Sequence, residues 1–249
     1  MKRKVWYAVL AVCLAVLIFC GGTFVYDYYR QKQGETVVED YTNSSVNESS
    51  KLIENPINFM KLQNKNADIF SWIRIKNTNI DYPILVPGSK GNDYYLRRNI
   101  EEEYDRQGVI FIENNNKSDW SDPVTVVYGH NIWTMGTMFY QLHKFEDSKF
   151  FNKNRYIEIY APGRALKYEI YSAFEYDDRH ILNSFDFSKK EVYQEFIDYT
   201  LDPHSLNKNV KETTVTTDDK IIVLSTCIKD KENSRYLVVG VLREDEKTK

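Results

Sequence analysis

Three side chains in this sequence could together perform thiol chemistry. Cys227 follows the apolar run 221–226. His130 follows the apolar run 124–128 after one glycine, and Arg235 opens a third apolar run. Catalysis by a thiol needs a thiolate, a proton donor for the leaving amine and a positive group near the developing oxyanion. Because each residue stands at the end of a predicted strand, a rigid sheet could aim all three into one cleft, although spacing alone does not establish that they meet.

The chain has three cysteines, and two of them belong to an apolar N-terminal stretch. There Cys13 and Cys20 serve as apolar filler or as lipidation sites, which leaves Cys227 as the only thiol of the remaining chain. A lone thiol is either an inert buried residue or a reactive nucleophile. A papain-like protease is disfavoured, because in those enzymes the cysteine precedes the histidine, whereas here His130 comes first.

The hydrophobic pattern predicts about eight β-strands to position these residues. Apolar stretches with strand character are bounded by turn residues. They lie at residues 70–75, 80–86, 108–112, 124–128, 155–160, 166–176, 220–226 and 235–242. The stretch Ala161-Pro162-Gly163-Arg164 predicts a hairpin between the fifth and sixth strands.

Helical spacing of apolar residues occurs in three further segments, 51–66, 137–145 and 188–201. The last is expected to begin at a Ser188 cap, with Glu191 three residues later. Since the strands do not alternate regularly with helices, a doubly wound sheet is disfavoured. We expect a mainly β fold, an eight-stranded β-barrel with N-terminal helices and a long helical insertion before the cysteine strand.

The first 30 residues have a composition of their own. Residues 5–26 carry no charge and as a helix would measure about 33 Å, enough to cross a hydrocarbon core of about 30 Å. Basic residues precede them, which favours a cytoplasmic N-terminus and an extracellular remainder. A cleaved signal peptide is the alternative, but its apolar region spans about 7–15 residues and no A-x-A-like site follows here. We expect a single-pass protein of the cell membrane.

Three parts follow from this composition. Residues 1–30 form the basic start and transmembrane anchor, residues 31–50 form a polar, flexible spacer, and residues 51–249 form one external domain. The formal net charge is −3, and the first 30 residues contribute +3, so residues 31–249 carry −6. This charge excludes a basic nucleic-acid binder.

The other titratable residues predict no metal site. His143, His180 and His204 are expected to be ordinary histidines, and a single external thiol leaves no cluster with zinc-ligand spacing. Acidic runs at 101–103, 177–178 and 218–219 are usually solvated faces, with a calcium site as the alternative.

The segments around the three candidate residues resemble those of sortases. Leu224-Ser225-Thr226-Cys227 resembles the TLxTC motif, although Val223 stands where the family usually has threonine. Tyr128-Gly129-His130-Asn131 resembles the catalytic-histidine segment, and Arg235 lies eight residues past the cysteine, as the family arginine does. The N-terminal helices and the helix before the cysteine strand resemble class B sortases in particular.

The resemblance implies a cysteine transpeptidase, a thiol peptidase that needs no cofactor. The thiol of Cys227 cleaves a C-terminal sorting signal after threonine, and the thioester passes to an amine of a peptidoglycan cross-bridge. Class B enzymes usually prefer signals that begin Asn-Pro. His130 would protonate the departing amine and Arg235 would hold the oxyanion or the substrate backbone. A pilin-polymerising sortase and a non-catalytic surface binding module remain the alternatives.

The resemblance also suggests residues that bind the signal. Asn92 and Leu96 resemble class B positions that line the cleft, although a capping asparagine and a core leucine would look the same. Ser225 lies two residues before the thiol and therefore on the same strand face. Tyr176 and Ile181 are further candidates, because they lie near the loop that leads to the long helix.

Overall fold

The computed structural model of the protein describes residues 6–7, 13–14, 16–18, 20–23, 25–26 and 52–249. The chain divides into two compact units, residues 1–43 and residues 44–249, and the described residues of the first unit are helical. Among all described residues, no helix combines the length and the apolar character needed to cross a membrane. The predicted membrane segment 5–26 lies only partly within the described residues, and the predicted spacer 31–50 lies outside them.

The second unit is built around a closed β-barrel. Its strands are β1 Ile69–Arg74, β2 Asp81–Leu85, β3 Ile110–Ile112, β4 Val124–Tyr128, β5 Asn131–Ile132, β6 Thr137–Met138, β7 Tyr156–Ala161, β8 Arg164–Asp177, β9 Lys208–Val210, β10 Ile221–Ile228 and β11 Lys231–Lys247. Eight of them pair in the order β11-β10-β4-β3-β2-β1-β7-β8, and the pairing of β8 with β11 closes this row into a ring. The expected eight-stranded barrel is confirmed.

The remaining strands lie outside the ring. β9 adds to β8, and β5 pairs only with β6 in a small hairpin directly after His130. The predicted hairpin between β7 and β8 is present, and its turn consists of Pro162 and Gly163. Gly163 has a φ of 73°, a left-handed conformation that glycine adopts without steric cost.

Residues 52–249 contain four α-helices, α1 Phe59–Lys65, α2 Ser148–Lys153, α3 Ile181–Ser184 and α4 Lys190–Leu201. Of the predicted helical segment 137–145, the first two residues form β6, and the rest belongs to a 3₁₀-helix, Phe139–Glu146. α4 begins two residues later than expected, and the predicted Ser188 cap is wrong. The Ser188 hydroxyl donates to the Asp186 carboxylate at 2.5 Å, and Lys189 precedes the helix without a capping hydrogen bond.

Strand β10 is buried on both faces, which explains its continuous apolar sequence. Leu224 faces the barrel interior together with side chains from all the other ring strands. Val223 faces outward and packs with Phe196 of α4 in a second core. Because side chains alternate along a strand, Cys227 lies on the same outer face as Val223. The thiol therefore lies on the same face of β10 as the outer core beneath α4.

Candidate active site

The thiol and the guanidinium lie side by side on the barrel's outer face. Cys227 of β10 is the direct register partner of Arg235 of β11, and Arg235 is in turn the partner of Tyr176 of β8. Directly opposite residues of antiparallel strands have Cβ atoms about 4.5–5.5 Å apart and project to the same face. Cys227 is exposed, whereas Tyr176 is buried. The row therefore runs from an accessible thiol to a buried phenol, with the cation between them.

Backbone contacts on both sides of His130 fix this histidine beside the thiol. The Gly129 N–H donates to the Ser225 carbonyl at 3.2 Å, and the Thr226 hydroxyl donates to the Gly129 carbonyl at 2.9 Å. On the other side, the Asn131 amide donates to the Cys227 carbonyl at 2.9 Å. The chain is thus tied to β10 immediately before and after His130. The structure therefore places the main chain of His130 next to the end of β10 that carries Cys227, and Cys227 opposite Arg235.

The ring of His130 contacts the main chain of Leu96. Its Nε2 lies 2.7 Å from the Leu96 carbonyl oxygen. Because a carbonyl oxygen only accepts hydrogen bonds, Nε2 must carry a proton and donate it to this contact. Leu96 therefore contributes to the site through its backbone oxygen, and the histidine is held in a form with a proton available at Nε2.

Only part of the Arg235 guanidinium is engaged in hydrogen bonds. Its Nη1 donates to the carbonyl oxygens of Glu232 at 3.1 Å and Ser234 at 3.0 Å, both close neighbours in the chain. The other nitrogens of the fork make no hydrogen bond to the described residues. Two nitrogens therefore remain for a developing oxyanion or a substrate carbonyl.

Tyr128, at the end of β4, borders the site on the side opposite Arg235. Its ring stacks on Phe111 with centroids 5.7 Å apart and lies 6.4 Å from the ring of His180. Burial raises the pKa of Tyr128, the Glu113 carboxylate raises it further, and Arg235 acts in the opposite direction. Tyr128 is therefore a neutral hydroxyl at physiological pH.

The five residues predicted to bind the signal occupy two environments. Asn92 and Leu96 line a cavity of about 660 Å³, together with the basic residues Lys90, Arg97 and Arg98. The side chains of Ser225, Tyr176 and Ile181 are buried, at 5%, 4% and 3% exposure. Ser225 therefore lies below the surface of β10, and Tyr176 and Ile181 pack in the outer core.

Sequence reasoning missed His143, which it classed as ordinary. The Nε2 atom of His143 lies 3.2 Å from the Cys227 carbonyl oxygen and 3.1 Å from the Asn131 amide, and its Nδ1 lies 2.6 Å from the Glu146 carboxylate. The spacing of His143 and Glu146, three residues apart in a helical pattern, was the available signal. Among the described residues, no three His, Cys, Asp or Glu side chains cluster as a metal site.

The chain was compared with known families and structures. A family model for the sortase domain matches residues 73–243. The curated sortase B of Listeria monocytogenes serovar 1/2a is 30% identical over 239 residues, which cover 93% of this chain and 94% of that protein. Sortase B from B. anthracis has a TM-score of 0.74 at 30% identity, covering 88% of this chain and 99% of that structure.

A Streptococcus pyogenes class B sortase, described as involved in pilus biogenesis, has a TM-score of 0.64 at 27% identity and covers 74% of this chain and 97% of its own. The family model alone spans well over half of the chain. The chain therefore belongs to the sortase family, and its relatives in sequence and fold are class B sortases.

Proposed function

We propose that this protein is a membrane-anchored transpeptidase that cleaves a sorting signal of the Asn-Pro-x-Thr type after threonine and transfers the carried protein to a cell-wall amine. The observation that supports this most is the opposition of Cys227 and Arg235 in β10 and β11, with His130 tied to β10 beside them. A thiol, a proton donor and a multidentate cation at one sheet edge are the groups that acyl transfer through a thioester needs.

The reaction proceeds in two halves. The Cys227 thiolate attacks the threonyl carbonyl carbon, and protonated His130 gives its proton to the nitrogen of the departing peptide as the carbon–nitrogen bond breaks. In the second half the acceptor amine attacks the thioester carbon, and neutral His130 takes the amine proton. The carbon–sulfur bond then breaks, and the thiolate is restored. Arg235 donates hydrogen bonds to the oxyanion that forms in each half.

The same proposal includes the placement of the protein in the cell. Residues 1–30 provide the cytoplasmic start and the membrane anchor through residues 5–26, residues 31–50 provide the spacer, and residues 51–249 provide the extracellular catalytic domain. The support is the uncharged stretch behind a basic start, together with the polar composition of the spacer. Protease digestion of intact cells tests it, because only an external domain is degraded while the membrane is closed.

A pilin-polymerising enzyme is the second candidate, because a structurally similar class B sortase is described as involved in pilus biogenesis. The two candidates share the acylation half and differ in the acceptor amine. Offering the acyl-enzyme a peptidoglycan cross-bridge peptide and a pilin-type lysine peptide together distinguishes them. The product that accumulates identifies the acceptor by its mass.

A fluorogenic Asn-Pro-x-Thr peptide tests the enzymatic function itself. Full-length protein in detergent should cleave it, and mass spectrometry should detect a thioester on Cys227. We expect Cys227→Ala and His130→Ala each to abolish turnover while the melting temperature stays close to that of the wild type. Binding of the peptide without turnover by the wild-type protein would instead support a non-catalytic binding module.

A further inference from the structure

Three polar side chains form a hydrogen-bonded chain that ends at the main-chain carbonyl oxygen of Cys227. The Glu146 carboxylate lies 2.6 Å from Nδ1 of His143. Nε2 of the same ring lies 3.1 Å from the Asn131 side-chain nitrogen, which donates to the Cys227 carbonyl oxygen at 2.9 Å. Glu146, His143 and Asn131, which we call the relay, thus link the 3₁₀ segment Phe139–Glu146 to β10 through the residue that follows His130.

The protonation of the relay follows from its donors and acceptors. A carboxylate only accepts, so Nδ1 of His143 carries the proton that faces Glu146. In the tautomer with its only proton at Nδ1, the ring has a lone pair at Nε2 that accepts one N–H of the Asn131 amide at 3.1 Å, and the 3.2 Å approach of Nε2 to the Cys227 carbonyl oxygen is then not a hydrogen bond. The second N–H of that amide points to the Cys227 carbonyl. In this arrangement both N–H groups of Asn131 have acceptors, whereas its buried Oδ1 has no partner among the described residues, so the orientation of Asn131 depends on whether Nε2 of His143 accepts.

The ring of His143 is also fixed by packing. It stacks on Tyr236 with centroids 5.1 Å apart and planes inclined by 28°, and its side chain is 16% exposed. The titratable groups that face it are Glu146 and Tyr140 from its own segment and Tyr236 from β11. From β10 it meets only the main-chain carbonyl of Cys227.

We propose that His143 is a positioning residue for the acyl-transfer reaction. It holds the Asn131 amide in the orientation that ties the His130 segment to the peptide of Cys227, and so sets the geometry between base and nucleophile. Because a peptide group is planar, fixing the Cys227 carbonyl also fixes the backbone that carries the thiol. This inference rests on the proposed transpeptidase function.

Two substitutions separate positioning from packing. His143→Gln keeps an oxygen that can accept from Asn131, whereas His143→Phe keeps the stack on Tyr236 and has no acceptor. We expect kcat of the phenylalanine variant to fall about ten- to hundredfold with KM changed less than about twofold, since small misplacements of reacting groups cost that much. The glutamine variant should recover part of kcat. The opposite order, with Phe active and Gln impaired, would show that only packing matters.

His204→Ala is the matched control, because His204 is exposed and contacts the ring of Tyr199 away from this relay. Its kcat should equal that of the wild type. If His143→Phe also keeps the wild-type kcat, the positioning role is overturned. Melting temperatures recorded for all variants identify any variant that loses activity by unfolding. Glu146→Ala, a change at an exposed carboxylate, then replaces that variant in the kinetic comparison. We expect the same loss of kcat from it.

The tautomer gives a measurement that does not depend on turnover. Long-range ¹H–¹⁵N NMR of the full-length protein in detergent should show the proton of His143 at Nδ1, and Glu146→Ala should shift it toward Nε2. A proton at Nε2 in the wild type would overturn the relay. If the wild type cleaves no sorting peptide, the proposed function fails while the NMR result still decides whether the relay exists.

Discussion

At the residue scale, the shape of the Arg235 side chain should matter as much as its charge. Arg235 lies opposite Cys227, two of its nitrogens are left for substrate, and a planar fork can hold an oxyanion and a neighbouring carbonyl at once. Lysine keeps the charge but loses the fork. We therefore expect Arg235→Lys to lower kcat/KM about 10²- to 10³-fold, the effect of losing an oxyanion donor. Arg243→Lys, in the same strand, serves as the control, and near-normal turnover of the Arg235 variant would show that charge alone suffices.

Gly129 is a second residue whose identity the geometry requires. A Cβ atom at this position would lie 2.5 Å from Cδ1 of Ile110 and 2.8 Å from the ring of Phe139. Gly129→Ala should therefore displace the neighbouring His130, lower kcat at least about tenfold and destabilise the fold by about 1–3 kcal/mol. Turnover and thermal melting measure both effects. Adding Ile110→Val removes the clashing Cδ1 methyl group and should restore part of the stability, whereas no rescue would point to another cause.

The catalytic candidates could be proposed from the sequence because each stands at a strand end with a recognisable neighbourhood. For His143 the sequence offered only its spacing from Glu146, because its contact with the Cys227 carbonyl joins residues that are 84 positions apart. Alternation predicts the strand face of Ser225 but not its burial, which depends on the tertiary packing around β10.

At the scale of elements, helix α3 is connected to the cleft by a row of amides. The Asn92 amide donates to Asn115 at 3.0 Å, and the Asn115 amide donates to Asn183 of α3 at 3.0 Å. A signal that begins with asparagine could join such a row, whereas leucine would leave polar groups unpaired. We expect Asn-Pro peptides to be preferred over matched Leu-Pro peptides by far more than the 1–3 kcal/mol that an apolar pocket typically gives.

Competition between the two peptides, expressed as a ratio of kcat/KM, checks this preference. Asn115→Ala interrupts the amide row without touching the proposed catalytic groups, so it should reduce the ratio more than it reduces turnover. A preference for Leu-Pro signals would remove the class B specificity and leave the family assignment intact.

The elements themselves were predicted best where the apolar pattern continues to their ends. β11 extends to Lys247, beyond the predicted end at 242, because its last residues pair with β8 through charges, such as Glu244 with Lys167. A hydrophobic pattern does not detect such a strand end. α4 starts late because the Asp186 carboxylate engages the Ser188 hydroxyl that was expected to cap the helix.

At the scale of the whole molecule, an ion pair lies at the seam where β11 closes the barrel on β8. The Arg164 guanidinium contacts the Asp245 carboxylate at 2.9 Å and 2.7 Å, and this hydrogen bonding holds the pKa of Asp245 below its usual range. A lowered carboxyl pKa stabilises the folded state above the ordinary value of about 3.9, and this contribution is lost as pH falls through the lowered value.

Asp245→Asn should therefore lower the melting temperature at pH 7 by about 2–4 °C at most, since exposed pairs contribute no more than about 1 kcal/mol. The difference from the wild type should shrink as the pH is lowered from the ordinary carboxyl value of about 3.9 through the lowered pKa of Asp245. Asp218→Asn is the control, because the ion pair of Asp218 with Lys190 is solvent-exposed and joins no barrel strands. A difference that is independent of pH would mean that the carboxylate charge is not responsible.

The closed barrel could be expected from strands without regular helical alternation, but the identity of the closing pair could not, because the pairing of β8 with β11 joins segments that are far apart in the chain. The parallel pairing of β4 with β10, which brings the His130 segment to the strand of Cys227, likewise joins distant segments, whereas Cys227 and Arg235 meet within the β10–β11 hairpin. Bringing such distant segments together costs chain entropy, and folds dominated by long-range strand pairing form slowly. The hairpin can therefore oppose the thiol and the cation locally, but the proton donor joins them only when β4 pairs with β10, so an incompletely folded chain remains latent until that part of the ring is in place.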